Sequence, residues 1–284
     1  MPVLDPSFIG TWYYYTDAQT GQARIFESFR ESNEQELSKK PLLQGDIGTH
    51  VLNAGGIKHT TSISTPVIIF EDATGTQSVA SAFTLLKDQF NIIRNPLVTA
   101  TAPFLLKSGS IKIAEEGVTC DMDFMSTAGG IFTPIFGLPP QLDFIGRVAR
   151  FYDTVFNVTA GFGAGNVYQV VDGDIKIDVD IKENYFINTG QYPFFAVQGY
   201  QVTGTVKVLA LPIDNTFTIA PQNPGDFTVQ GFSTTSLAIG GEYFNFGEAN
   251  LNSTVERNVS PDAITTLNIA FQSYVRYTTN IDVQ

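Results

Sequence analysis

The sequence predicts a mainly β protein: two tandem, pseudo-symmetric β-sandwich or barrel-like domains with one flanking helix at about residues 78–91. Three observations lead there. Apolar residues recur at every second position through much of the chain, the period of a half-buried strand. Three short segments recur in the same order in the two halves. One stretch alone, Ser78–Asn91, places Val79, Phe83, Leu86 and Phe90 at spacings of three and four, the period of an amphipathic helix.

Taken in order, strands are predicted at Trp12–Tyr15, Ala23–Phe29 and Ile57–Phe70, rich in Thr and aromatic residues as strands prefer. The helix follows, with Ser78 as its N-cap and Asn95-Pro96 as its stop. Thr99–Lys107 reads as a strand, and Val118, Cys120, Met122 and Phe124 form the apolar row of the next. The uncharged stretch Met125–Leu142 contains Pro134, Pro139 and Pro140, which a membrane helix would tolerate poorly, so no membrane span is expected. Its apolar residues predict a packed linker over 129–144, between a first domain at 1–128 and a second at 145–284.

In the second half, strands are expected at Val148–Thr159, Val202–Leu209 and Phe227–Leu237, with a last apolar row from Leu267 to Tyr277. The clearest alternation lies between. Ile175, Ile177, Val179 and Ile181 make an apolar face, and Asp174, Lys176, Asp178, Asp180 and Lys182 make a charged one. The counterpart of the first-half helix, Phe217–Phe232, reads as loop and strand.

The repeat consists of three matches. Ala23-Arg24-Ile25-Phe26-Glu27-Ser28-Phe29 resembles Ala149-Arg150-Phe151-Tyr152-Asp153-Thr154-Val155-Phe156 with one insertion. Gly45-Asp46-Ile47 recurs as Gly173-Asp174-Ile175, and Val118–Ser126 is matched by Thr265–Ser273. A period near domain length implies two fused copies, not a solenoid.

Composition narrows the function. Hydrophobic residues make up 43% and charged residues 15%, which excludes wholesale disorder and suggests that neighbours cover part of the surface. The net charge is −12, and both halves are acidic: 10 basic against 15 acidic residues through Val148, then 6 against 13. That balance argues against binding the phosphate backbone. The single cysteine, Cys120, excludes an intrachain disulfide and sits where a strand buries its side chain. The start of the chain has neither the basic nor the apolar region of a signal peptide.

No catalytic constellation emerges, and the chain is read as a non-enzyme without cofactor or metal. His50 and His59 neighbour no nucleophile motif and are read as surface or packing histidines. The run Gly161–Gly165 precedes a strand-like segment, not the helix that a phosphate loop needs. Asp172-Gly173-Asp174 has Lys176 and Ile177 where an EF-hand requires an oxygen ligand and a glycine. Glu115-Glu116 and Glu71-Asp72 are read as solvated turn acids.

Two β-sandwich-like copies, the helix at Ser78–Asn91 and the acidic amphipathic strand at Asp174–Lys182 together resemble bacteriophage tail tube proteins whose chain carries the tube domain twice. The resemblance covers roughly Gly21 to Tyr277 and rests on pattern, not on a signature motif. It implies a structural protein of the virion, assembled in the host cytoplasm, that forms rings with strands joined across subunits. Three chains would give a pseudo-sixfold ring, partnered by other tail proteins. Asp174, Lys176, Asp178, Asp180 and Lys182 would line a negative channel through which DNA slides without specific binding. The missing second helix departs from strict equivalence of the copies. Glu31–Gln44, charged and poorly periodic, is read as a loop or arm reaching a neighbour. Two alternatives stay open: another virion part, such as a capsid, decoration or baseplate protein, and a carbohydrate- or ligand-binding β-sandwich module using Tyr13, Tyr14, Tyr15, Tyr192, Phe194 or Phe195.

Overall fold

The computed structural model describes residues 13–17, 23–26, 28–41, 50–71, 77–80, 82–95, 104–126, 132–134, 145–161, 166–184, 194–209, 228–256 and 266–277. They are mainly strand. In the first half the elements are β1 (Tyr13–Asp17), β2 (Ala23–Phe26), β3 (Ser28–Pro41), β4 (His50–Pro66), β5 (Ile68–Glu71), β6 (Gln77–Ala80), α1 (Ala82–Ile93), β7 (Phe104–Ile113) and β8 (Val118–Ser126). Then come β9 (Phe132–Pro134), β10 (Ile145–Val148), β11 (Thr154–Gly161), β12 (Asn166–Asn184), β13 (Phe194–Leu209), β14 (Thr228–Ile239), β15 (Glu242–Glu256) and β16 (Thr266–Arg276).

One large antiparallel sheet runs β3-β4-β8-β7-β12-β13-β16-β15-β14-β11. Because β11 also pairs with β12, through Val155–Gln169 to Val158–Asn166, the last six strands close into a barrel. Beyond that junction β12 is free to take β7, at Gly173–Ile113 through Asp178–Ser108. A strand of 19 residues is long enough to serve both neighbours on one edge. Two small sheets, β2-β1-β9 and β10-β5-β6, flank the large one. Gly240 and Gly241 both have positive φ, 54° and 86°, which is what the two-residue turn between β14 and β15 requires.

Alternation explains the core. Along β12, Ile175 and Ile177 are buried and Val179 nearly so, while the residues between them are exposed. The helix contributes Phe83, Leu85, Leu86, Phe90 and Ile93, all with no exposed surface. Although α1 belongs to the first half, its rings pack on the second-half barrel. Phe90 meets Tyr200 and Phe244 edge-to-face at 5.0 and 5.2 Å, and Phe83 meets Phe244 at 5.9 Å. Phe244, Phe246, Phe271 and Phe156 continue the aromatic chain across the barrel. Leu86 crosses β7 where Gly109 leaves room: a Cβ there would lie 2.6 Å from Leu86 Cδ1. The halves thus share one hydrophobic cluster as well as one sheet.

Several expectations need correction. The helix begins at Ala82, and Ser78 is not its N-cap but lies in β6 opposite Phe70. Pairing of Val79 with Ile69 keeps that turn extended. Glu31–Gln44 is not a loop as far as Pro41: it forms β3, in register with β4. Its weak periodicity has a simple cause, since Glu31, Asn33 and Glu34 at this sheet edge are all exposed, on both faces. The strand expected at Thr99–Lys107 extends to Ile113, its first five residues lying outside the described ones. Of the 129–144 linker, Phe132–Pro134 is strand β9, paired with β1, and the remainder lies outside the described residues.

The three sequence matches fare differently. Val118–Ser126 and Thr266–Ser273 fall on β8 and β16, and each strand lies between a long strand and a penultimate one. Phe124 faces Thr61 and Leu106, and Phe271 faces Gly204 and Leu251. The order β3-β4-β8-β7 therefore recurs as β12-β13-β16-β15. The opening segments do not correspond: β2 pairs with β1 in a small sheet, whereas Phe151–Asp153 is a 3-10 turn leading into barrel strand β11. Gly45–Ile47 lies outside the described residues.

Candidate functional site

Eight strands present one continuous polar face. Following the register outward from β12 gives a row Ser28–Ser64–Asp121–Ser110–Lys176–Thr203–Gln272–Asn250, one residue per strand. The next row reads Arg30–Ser62–Asp123–Ser108–Asp178–Gln201–Tyr274. All of these side chains are exposed or half-buried. Residues directly opposite in antiparallel strands point to the same face, so the polarity of each row follows from register alone. Tyr274, 62% exposed, is the only large ring in the two rows.

Asp174, Lys176, Asp178, Asp180 and Lys182 all lie on this face and all are exposed. The expected partition of β12 therefore holds, including Ile181, which is partly buried against the core. A register shift between Asp180 and Ile181 marks a bulge, after which β12 and β13 run on as a hairpin without β7. Asp174 and Lys176 border a shallow groove with Thr203, Thr205, Asn250 and Gln272. Gly204 also lines it, and on the core side the Phe271 ring lies against this glycine, leaving 2.3 Å to a hypothetical Cβ.

On β8 the carboxylates are held by serines from both neighbouring strands. Ser62 Oγ donates to Asp123 Oδ1 at 2.6 Å and Ser108 Oγ to Oδ2 at 2.9 Å. Ser64 Oγ donates to Asp121 Oδ1 at 2.5 Å and Ser110 Oγ to Oδ2 at 3.3 Å. Each aspartate is thus pinned between β4 and β7. The sequence analysis missed these six residues, although Ser62-Ile63-Ser64, Ser108-Gly109-Ser110 and Asp121-Met122-Asp123 each carry the period-two pattern that could have found them.

The remaining sequence candidates have structural settings. His59 is buried, with Nδ1 bonded to Asn33 Oδ1 and Nε2 3.6 Å from Glu31, a packing histidine at the β3–β4 edge. Cys120 is buried, and burial, reinforced by Asp121, pushes its thiol far above its ordinary value. Such a thiol is a poor nucleophile. Burial would raise Asp153, but hydrogen bonds from Arg147 and the Arg150 amide, and the Arg147 charge, outweigh it and hold the carboxyl below its ordinary value. That pair closes the 3-10 turn before β11. Glu115 and Glu116 are exposed in the β7–β8 turn. Side chains of His50, Tyr13–Tyr15, Phe194 and Phe195, and residues Tyr192 and 162–165, lie outside the described ones.

Among the described residues, no three His, Cys, Asp or Glu side chains converge as a metal site, and no helix is long and apolar enough to cross a membrane. Among the described residues the arrangement is a broad polar surface. Neither a protein-family model nor a curated protein matches the chain.

Proposed function

We propose that the chain is a self-assembling structural subunit whose rings stack into the tail tube of a phage virion, with the eight-strand polar face lining the conduit. The observation that carries this reading is the face itself. It spans both halves without a break, and apart from Tyr274 the two rows set out above consist of polar or charged side chains. The recurrence of β3-β4-β8-β7 as β12-β13-β16-β15 supports a duplicated tube domain, so that three chains would supply six related sectors.

Electrostatics support the same use. Asp174, Asp178, Asp180, Asp121 and Asp123 are interleaved with Lys176, Lys182, Lys112 and Arg30. DNA meets no uninterrupted cationic run on which to release counterions, so transit is favoured over binding. Outward association then falls to the sheet edge at β3, which among the described residues has no strand on its far side. Negative-stain microscopy of the purified chain, with light scattering for mass, tests the proposal: rings or tubes with a central bore are expected. A monodisperse monomer at high concentration, or closed shells, would sink it.

A further inference from the structure

Pairing of β15 with β16 stops at Asn250–Gln272, although both strands run on, β16 to Arg276 along β13 and β15 back to Glu242 along β14. The cause lies on β15. Its register against β14 shifts between Thr235 and Ser236, and Gly247 there has a φ of 84°, so a bulge turns the strand aside. A slot of about 440 Å³ opens between the two strands, a size that suits a small ligand. Tyr200 and Ser273, at core-facing positions, line it together with Glu248, Asn250, Gln272 and Tyr274 from the polar face. The slot therefore reaches from the polar face toward the core.

Its chemistry is specific. Arg94, just past α1, also lines it and is held in place: its guanidinium lies 5.8 Å from the Phe90 ring centroid, Nη1 donates to the Asn245 carbonyl at 3.4 Å, and Tyr200 takes a further hydrogen bond. Among the described residues neither Arg94 nor Glu248 is in an ion pair. Ser273 is 5% exposed, and its hydroxyl has no hydrogen-bond partner among the described residues. Leaving such a group unpaired is costly, and a ligand in the slot would satisfy it. One cation against one carboxylate gives no net attraction for a phosphate or a metal ion. An apolar chain would have to desolvate Asn250, Gln272 and Glu248. A sugar ring meets neither objection, because its C–H face suits an aromatic ring and its hydroxyls both donate and accept. We propose that the slot binds a neutral hexopyranose unit, stacked on Tyr274 and hydrogen-bonded to Ser273, Asn250, Gln272, Glu248 and Arg94. The inference stands on the slot alone and goes beyond the tube reading.

Saturation-transfer NMR on the full chain tests it, since the readout comes from the free sugar whether or not the protein assembles. The probes are D-glucose, D-galactose and N-acetyl-D-glucosamine, with L-alanine as a zwitterionic counter-probe. At least one sugar should show saturable transfer with a roughly millimolar dissociation constant, strongest at its ring C–H protons. Tyr274→Ala, at an exposed position, should keep the native melting profile and weaken binding about tenfold, and Tyr274→Trp should restore it. Ser273→Ala should weaken it by about two- to tenfold, the net worth of one hydrogen bond. No saturable transfer from any of the three sugars, equal transfer in the native and Tyr274→Ala chains, or transfer to L-alanine alone would overturn the proposal. Sugar binding without tubes would leave this site standing and remove only the tube reading.

Discussion

Replacing Phe90 with alanine probes whether the two halves are one folding unit. Phe90 is fully buried on α1, in the first half, and its two ring partners, Tyr200 and Phe244, belong to the second. Phe→Ala in a core costs about 3–5 kcal/mol, a figure that includes the cavity left behind. Two edge-to-face contacts, each worth about 0.5–1.5 kcal/mol beyond burial, place this site toward the upper end. Alanine is a better helix former than phenylalanine, by about half a kcal/mol, which offsets a little of the loss. The expected net is about 4 kcal/mol, or a fall in Tm of roughly 8–16 °C at the 2–4 °C per kcal/mol typical of chains near this length.

The distribution of the loss decides the question. Urea unfolding followed by hydrogen exchange would compare peptides from β8 with peptides from β16. With one shared core, both sets should lose protection together and with the same midpoint. Phe104→Ala is the control, because Phe104 packs on Phe124 within the first half at 5.6 Å. If Phe90→Ala leaves β16 protection unchanged, or costs less than about 1 kcal/mol, the inference of a common core is refuted.

Three further outcomes follow from the same contacts. Gly204→Ala should cost about 1–3 kcal/mol by overpacking against Phe271, which Phe156 and Phe246 hold in place, and Phe271→Leu should recover part of it in a double-mutant cycle. Burial, helped by Tyr200 and opposed by Arg94, pushes the Tyr277 phenol up to about 12 from an ordinary value near 10. The folded state then binds the proton more tightly, so stability should decline as pH rises from 10 toward 12, and Tyr277→Phe should flatten that limb; after discounting for partial exposure, the effect is about 1 kcal/mol. Asp174→Lys/Asp178→Lys/Asp180→Lys should keep the native melting profile because the positions are exposed, yet turn the face cationic; if the proposed tube forms, the variant should retain DNA in it, and unimpeded passage would exclude β12 from the lining.

What the sequence revealed was what period-two alternation encodes locally. The two faces of β12 could be read from Ile175, Ile177 and Val179 against Asp174, Lys176 and Asp178 because neighbours two apart share a face whatever the sheet does. Cys120 was placed inward for the same reason. The start of α1 was misread because Ser78 and Val79 take their conformation from β5, through pairing that no local propensity reports. β3 was unreadable as a strand because an edge exposed on both faces has no reason to alternate. The serine–aspartate hydrogen bonds were invisible for a related reason: Ser62 and Asp123 are 61 residues apart and meet only through the β4–β8 register. Barrel closure depends likewise on β11 pairing with both β12 and β14, which the glycine-rich approach to β12 did not disclose.

The placement of α1 bears on how such a chain could associate at all. A sheet needs one face covered, and here the barrel interior and Phe83, Leu86 and Phe90 cover it. The opposite face is left to solvent across eight strands, and in its two rows Tyr274 is the one large apolar side chain among the described residues. A partner docking flat on it would have to desolvate aspartates, lysines and hydrogen-bonded serines with little hydrophobic return. Association would be cheaper at the edge, where among the described residues β3 pairs with β4 alone and could offer its outer backbone groups to another strand. Glu31 and Glu34 on that edge, beside Arg30, would then restrict which strand can approach. On the tube reading proposed above, the same polarity that disfavours docking would leave the face open beside a moving polyanion. Under the proposal made above, edge contact with an open face would build a wall around a channel, and a closed shell would leave that face without a use.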